Sequence, residues 1–366
     1  MKTILFNLND IELEKFVTDF GWPRFRAKQI REWLNRGAPD FSVMKNLPVD
    51  MRDKLSETAE TLPLKIVKKL ESSDNQTTKF LLELVDGEQI ECVLMRTTYG
   101  NSVCVSSQAG CAMGCKFCAS TLLGLKRNLT VNEMFSQVLT AAWELRGDRL
   151  SDTKPNGDAN NGDVSHIVVM GTGEPLQNTE NVIGFLERAN HDLNISWRRI
   201  TVSTCGIVPG IIELTKWGRP INLAISLHAP IDELRSKIMP INNRYKLDEV
   251  LNAAFEFSDA QNRQLMIEYI LLGKRDENGD VMIYNATPEH AQQLIDLLRG
   301  HNVMVNLIPW NSVDERDFAS ISGNAVHKFQ DILIKGGIHT RIRRERGADI
   351  GSACGQLRLK NKKDVK

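Results

Sequence analysis

No apolar run in this chain is long enough to cross a membrane, and its start, Met1 to Asn7, lacks the extended apolar stretch and small-residue cleavage site of a secretory signal. Both absences predict a cytoplasmic protein with no membrane partner. Net charge is missing as well. The 46 basic and 46 acidic residues cancel, which argues against a protein that coats nucleic acid nonspecifically but leaves room for local basic patches. None of the seven histidines stands at metal-ligand spacing from another. Cysteines number seven, an odd count with three crowded within eight positions, so reduced thiols fit better than a disulfide framework. With 42% apolar residues over 366 positions, the chain can bury a large core and exceeds one simple domain.

What is present begins with Cys111-Ala-Met-Gly-Cys115-Lys-Phe-Cys118. A 4Fe-4S cluster has four irons and usually takes four cysteines, so a C-x3-C-x2-C triplet leaves one iron open. An open iron can bind the amino and carboxylate groups of S-adenosylmethionine and pass an electron into its sulfonium. Phe117, just before the last cysteine, suits this pattern. Short thiolate spacings also suit structural zinc, with Cys104 as the candidate fourth ligand, and the triplet alone leaves that alternative open.

Apolar residues at helical spacing, punctuated by Gly and Pro, predict short helices at 11–20, 24–36 and 48–60, and hence a helical accessory domain over 1–70. A hairpin follows, from runs at 78–84 and 88–95 joined by Asp86-Gly87, within an extension drawn at 71–101. From 102 to 357 the pattern is strand, loop, helix, repeated. Strands are predicted at 102–106, 165–170, 199–203, 222–227, 264–271 and 302–308, with helices at 131–146, 180–190, 247–258 and 288–299 between most of them. Six βα units in succession predict the α/β class, as an open, partial (β/α)6 barrel. The polar stretch 147–163 reads as an inserted surface loop, and 358–366 as a basic tail.

The motifs fall at one end of that barrel. The cysteine triplet follows the first strand, Gly171-Thr-Gly173-Glu174-Pro175 the second and Thr204-Cys205-Gly206 the third, while Ser226-Leu227-His228-Ala-Pro closes the fourth and Pro309-Trp310-Asn311 the sixth. In a parallel barrel these are the C-terminal strand ends, where active sites lie. Glycines after a strand let backbone approach a ligand, and the Glu174 carboxylate can then accept from an ammonium. Ser203, Ser226 and Asn311 offer hydroxyl and amide groups suited to a ribose, an amino acid or an adenine edge. Cys354, flanked by small residues and preceded by the basic run Arg341 to Arg346, is a candidate nucleophile. Cys92 and Cys205 read as buried and inert.

Cys104-Val-Ser-Ser-Gln-Ala-Gly-Cys111, the triplet, Gly-Thr-Gly-Glu-Pro-Leu, Ser-Leu-His-Ala-Pro, Asn306-Leu-Ile-Pro-Trp-Asn311 and the segment from Arg346 through Cys354-Gly-Gln-Leu357 together resemble the RlmN/Cfr family of radical SAM RNA adenine methyltransferases. The resemblance runs from about residue 80 to 357 and is weaker in the helical N-terminal region. Within the family the Pro-Trp-Asn and Arg344-Glu-Arg-Gly347 segments are similar to the branch that methylates adenine C2, the alternative being the branch that methylates C8 of the same ribosomal nucleotide. Thr172 and Cys205 depart from the residues most often found there, and neither departure removes a group the chemistry needs.

The resemblance implies a radical SAM barrel that uses one 4Fe-4S cluster and two molecules of S-adenosyl-L-methionine per turnover. Cys111, Cys115 and Cys118 are then the cluster ligands, and Gly173, Glu174, Ser203, Ser226, Leu227, His228 and Asn311 surround S-adenosylmethionine. Cys354 carries the methyl group as S-methylcysteine, Cys104 resolves the enzyme–RNA adduct through a transient disulfide, and Glu91 is the proton acceptor. The implied partners are 23S rRNA, at an adenosine of the peptidyl-transferase centre, tRNA, at the adenosine 3′ of the anticodon, and an external electron donor of flavodoxin type. The chain is expected to act as a monomer.

Overall fold

The computed structural model describes residues 2–147, 163–343, 347–350 and 355–364. Helices α1 (Asp10–Asp19), α2 (Phe25–Asn35) and α3 (Val49–Thr58) open the chain. Asn9 starts α1 with a capping box: its side chain accepts from the Glu12 N–H at 2.9 Å, and Glu12 accepts from the Asn9 N–H at 2.8 Å. A two-residue parallel pairing of Thr3–Ile4 with Ala59–Glu60 ties the ends of this unit together.

Ten strands follow in one sheet: β1 (Leu64–Glu71), β2 (Thr77–Leu84), β3 (Gln89–Thr97), β4 (Gly100–Cys104), β5 (Val164–Val169), β6 (Ile200–Thr204), β7 (Asn222–Ser226), β8 (Leu265–Leu271), β9 (Val303–Pro309) and β10 (Thr340–Ile342). Their spatial order is their chain order, with β1 and β10 at opposite edges, so the sheet stays open. Neighbours from β4 to β10 are parallel, and those from β1 to β4 antiparallel. Parallel neighbours need crossovers, which α4 (Val131–Arg146), α5 (Thr179–Leu193), α6 (Val208–Trp217), α7 (Asp232–Ile238), α8 (Leu247–Gln261), α9 (Pro288–Leu298) and α10 (Gly323–Lys335) supply. All six predicted barrel strands are present, and β10 adds a seventh parallel strand.

The central strands are largely buried, and β5, Val-Ser-His-Ile-Val-Val, buries Val164, Ser165, Ile167 and Val169. The N-terminal helices share this core. Phe6 stacks on Phe135 of α4 with ring centroids 6.1 Å apart, and Arg188 lies over both rings at 4.6 and 4.3 Å. Burying Phe6 this way contributes roughly 2 kcal/mol.

Three expectations change. The boundary drawn at residue 70 falls within β1, so the helical unit ends near Glu60 and β1 belongs to the sheet. As an edge strand exposed through most of its length, β1 shows no alternation to read. The hairpin is not a separate extension either, because β3 pairs with β4 and continues the barrel sheet. Lastly, the basic tail contains a helix, α11 (Gln356–Asp364), with Arg358 fully buried and paired to Glu88 at 2.7 Å. The expected surface loop, Arg344, Arg346 and Cys354 lie outside the described residues, apart from Gly147 and Asp163 at the loop's ends.

Candidate active site

A cavity of about 930 Å³ opens at the C-terminal ends of the parallel strands. One wall is the loop that follows β4. Its stem is a two-residue ladder, Gln108–Ala109 against Arg127–Asn128, and between these lie the three cysteines. Gly110 is obligatory in that stem: its φ is +91°, and a Cβ there would stand 1.8 Å from the Gly124 carbonyl oxygen. Thr121 donates to the Cys115 and Cys118 carbonyls at 3.2 and 3.1 Å, and Trp310 Nε1 donates to the Phe117 carbonyl at 3.2 Å. The loop is thus fixed from its own stem, from β9's end and from α7, where the Ile238 carbonyl accepts from the Lys116 N–H at 2.9 Å.

Cys111, Cys115 and Cys118 all line the cavity, the first two buried and the third half-buried. Burial pushes the Cys111 thiol up to about 12 and holds Cys115 well above the ordinary thiol value, with the neighbouring thiols and Glu174 adding to the effect. A bound cation must therefore displace their protons before they ligate. Among the described residues no three His, Cys, Asp or Glu side chains converge on a single metal-ion position. Three soft thiol donors gathered on one loop at the cavity are a donor set that fits an iron–sulfur cluster.

Glu174 is fully buried on the adjoining wall. Burial raises its pKa, opposed by hydrogen bonds from the Cys205 N–H to Oε2 at 2.8 Å and from the Leu176 N–H to Oε1 at 2.9 Å. Each carboxylate oxygen therefore has one backbone donor and spare capacity for a cationic ligand. Its neighbour Gly173 has φ +116°, and a Cβ would meet the Gln108 nitrogen at 2.8 Å, so only glycine brings the two strand-end loops this close.

Ser203, Ser226, His228 and Asn311 line the same cavity. His228 is buried at φ +61°, a left-handed conformation uncommon for a non-glycine residue. Asn285 holds it there, donating to the His228 and Ile270 carbonyls at 2.9 and 2.7 Å. Burial pushes the imidazole down to about 3, and its Nδ1 accepts from the Ile270 N–H at 3.0 Å. The ring is neutral with its proton on Nε2, a donor for a ligand.

Two expected site residues are placed elsewhere. Leu227 has its side chain in the hydrophobic core and does not line the cavity, because successive residues of an extended segment face opposite ways. Glu91, in β3, does not line it either. Its carboxylate pairs with the fully buried Lys79 at 3.0 Å and accepts from the Gly355 and Arg358 N–H groups at 2.8 and 2.7 Å. It thereby caps the start of α11 from another strand and grips the residue next to Cys354. Cys104, the last residue of β4, does line the cavity.

The cavity also holds residues that the sequence reading passed over. Glu268, in β8, is buried and lines it; burial raises its pKa, and Asn306 Nδ2 donates to both carboxylate oxygens at 3.1 and 3.0 Å. A carboxylate inside the apolar run Leu-Met-Ile-Glu-Tyr-Ile-Leu was the available signal. Arg341 and Arg343 of the basic run line the cavity too. Cys205, read as inert, is buried but reaches the lining, with its N–H serving Glu174.

Comparison with known proteins bears on this arrangement. Residues 3–61 match the family described as "Ribosomal RNA large subunit methyltransferase N-terminal domain", and residues 105–283 match the "Radical SAM superfamily". A Clostridium acetobutylicum protein named "Probable dual-specificity RNA methyltransferase RlmN" is 44% identical over 360 residues, covering 98% of this chain and 97% of that one. A Staphylococcus aureus protein of the same name is 44% identical over 364 residues, covering 99% and 94%. The crystal structure of a radical SAM methyltransferase from Sphaerobacter thermophilus superposes with a TM-score of 0.80 at 38% identity, covering 97% of this chain and 98% of that chain.

Proposed function

We infer the activity from one premise: the chain belongs to the RlmN family of radical SAM methyltransferases. It is an RNA methyltransferase of that dual-specificity kind, methylating C2 of adenine in 23S rRNA and tRNA, and it uses a 4Fe-4S cluster and S-adenosyl-L-methionine. The observation that carries this reading is the single cavity lined by three clustered thiols, a buried carboxylate and the further thiol of Cys104 at the strand ends.

Adenine C2 lies between two ring nitrogens and is electron-poor, so it will not attack a methyl sulfonium as a nucleophile. The cluster and S-adenosylmethionine, when bound, supply one-electron chemistry that removes hydrogen from unactivated C–H bonds. The protein supplies the rest. Cys111, Cys115 and Cys118 would hold the cluster. Glu174 takes the cofactor's ammonium, and Gly173 lets the backbone close on it. Ser203, Ser226, the Nε2–H of His228 and Asn311 would orient its polar groups.

Cys354 accepts a methyl group on sulfur and presents it to the base. Once that carbon is bonded to C2 as a methylene bridge, Cys104 attacks the Cys354 sulfur; the sulfur–carbon bond breaks with its electron pair, which takes up a proton as the product methyl group, a disulfide forms, and an external two-electron reductant restores both thiols. Glu91 is assigned the proton acceptor's role by the family resemblance alone; its carboxylate lies off the cavity, paired with Lys79 and accepting from the Gly355 N–H. Arg341 and Arg343 at the cavity, with the N-terminal helices, are the RNA-facing parts.

The test is the product. RNA treated with reconstituted enzyme, digested to nucleosides and separated against standards, yields 2-methyladenosine. A yield of 8-methyladenosine would reassign the chain to the sister chemistry.

A further inference from the structure

Arg235, on α7, is fully buried. Its guanidinium donates only to neutral acceptors: Nε to the Leu227 carbonyl at 3.0 Å, Nη1 to Asn242 Oδ1 at 2.8 Å, and Nη2 to the Cys205 and Ser226 carbonyls at 2.7 and 3.3 Å. The other large buried cations differ. Lys79 has Glu91 at 3.0 Å, and Arg358 has Glu88 at 2.7 Å. Asp232 is close to Arg235, but its carboxylate accepts from Asn242 Nδ2 at 2.8 Å and the Leu247 N–H at 3.1 Å. A buried charge is costly unless an opposite charge stands near it, and among the described residues no ion pair supplies one.

What lies beside Arg235 is the cysteine loop. The end of α7 receives the Lys116 N–H, and Leu234 and Ile238 pack in one cluster with Cys111, Met113, Cys115 and Cys205. The Arg235 fork ends on the Cys205 carbonyl, so the buried guanidinium stands beside the packed group that contains Cys111 and Cys115.

We propose that Arg235 is a positioning residue that sets the reduction potential of the cluster held by Cys111, Cys115 and Cys118, while its fork fixes the Cys205, Ser226 and Leu227 backbone around S-adenosylmethionine. One-electron reduction adds one negative charge to the cluster, and a fixed buried cation favours that state. The inference rests on the cluster assignment, and the experiment separates the two.

Full-length protein, reconstituted anaerobically, is first assayed for iron and then titrated with dithionite and mediators, with the reduced cluster read by EPR. Wild-type protein that holds no iron refutes the assignment itself. With iron present, Arg235→Met gives a more negative midpoint than wild type, and Asp232→Asn, which removes the nearby negative charge, a less negative one. Arg235→Lys keeps the charge and the wild-type midpoint but loses the fork, so its affinity for S-adenosylmethionine falls roughly tenfold. Should Arg235→Met lose its iron, Asp232→Asn decides alone. An unchanged midpoint in Asp232→Asn, or an Arg235→Lys shift as large as that of Arg235→Met, overturns the proposal.

Discussion

Replacing Glu174 by Gln separates two duties of one carboxylate. Both oxygens accept backbone N–H groups, from Leu176 at 2.9 Å and Cys205 at 2.8 Å, at a fully buried position. Gln offers one oxygen and one NH2 group, so one of those N–H groups loses its acceptor. A buried donor left without a partner costs about 1–3 kcal/mol, and this cost falls on the protein without ligand. The second duty, the proposed one, is to hold the ammonium of S-adenosylmethionine. Losing a charge-assisted hydrogen bond there costs roughly 1.5–3 kcal/mol, or about ten- to a hundredfold in affinity.

Ionisation adds a signature. Burial raises the folded pKa of Glu174 above the ordinary 4.5, so the folded protein holds this proton more tightly than the unfolded chain does. Stability from this group is full below 4.5 and is lost as pH rises through the folded value. Gln does not titrate, so Glu174→Gln flattens that component of the pH profile. Calorimetric titration with S-adenosylmethionine, iron analysis and ligand-free denaturation between pH 4 and 8 read the three effects apart. A variant that lost iron while keeping wild-type cofactor affinity would refute the assignment of Glu174 to the ammonium.

Other substitutions test the remaining parts. Alanine at any one of Cys111, Cys115 or Cys118 leaves the strand ladders untouched, so circular dichroism should match wild type while iron binding and 5′-deoxyadenosine formation disappear; continued cleavage would contradict the ligand set. Gly110→Ala puts a Cβ 1.8 Å from the Gly124 oxygen at a left-handed φ, a cost of about 3 kcal/mol or more, read as a melting temperature lower by roughly 5 °C together with reduced iron occupancy. Cys104→Ala should stall with RNA joined to Cys354 through a methylene, so that RNA and protein co-migrate on a denaturing gel. Free turnover by that variant would remove Cys104 from its resolving role. Cys354→Ala should form no adduct at all.

Legibility followed physics at each position. The strands over 102–308 could be read because mostly buried parallel strands are rich in apolar and β-branched residues, and the strand-end motifs could be read because the chain must place them at turns. β1 and β10 could not: one is an edge strand that is mostly exposed, and the other has three residues. α6 begins Val-Pro-Gly, which reads as a loop although Pro fits a helix's first turn. At the site, spacing pointed to the thiols and the Glu174 turn, which the fold brings to one cavity, because their pattern is local in the chain. Arg235 and Glu91 act across the fold, on partners that only the folded sheet brings near, and no spacing announces them.

The cap that Glu91 places on α11 also has a consequence for how the protein is made. Its partner Gly355 lies 264 residues further along the chain. At roughly 5–20 residues per second, that stretch takes on the order of 10–50 s to leave the ribosome. Throughout that interval the strands around Glu91 and Lys79 are already outside with their final counterpart still unborn. The Gly355 segment is therefore the last of these partners to reach Glu91, and a chain stopped short of it leaves that carboxylate with Lys79 alone.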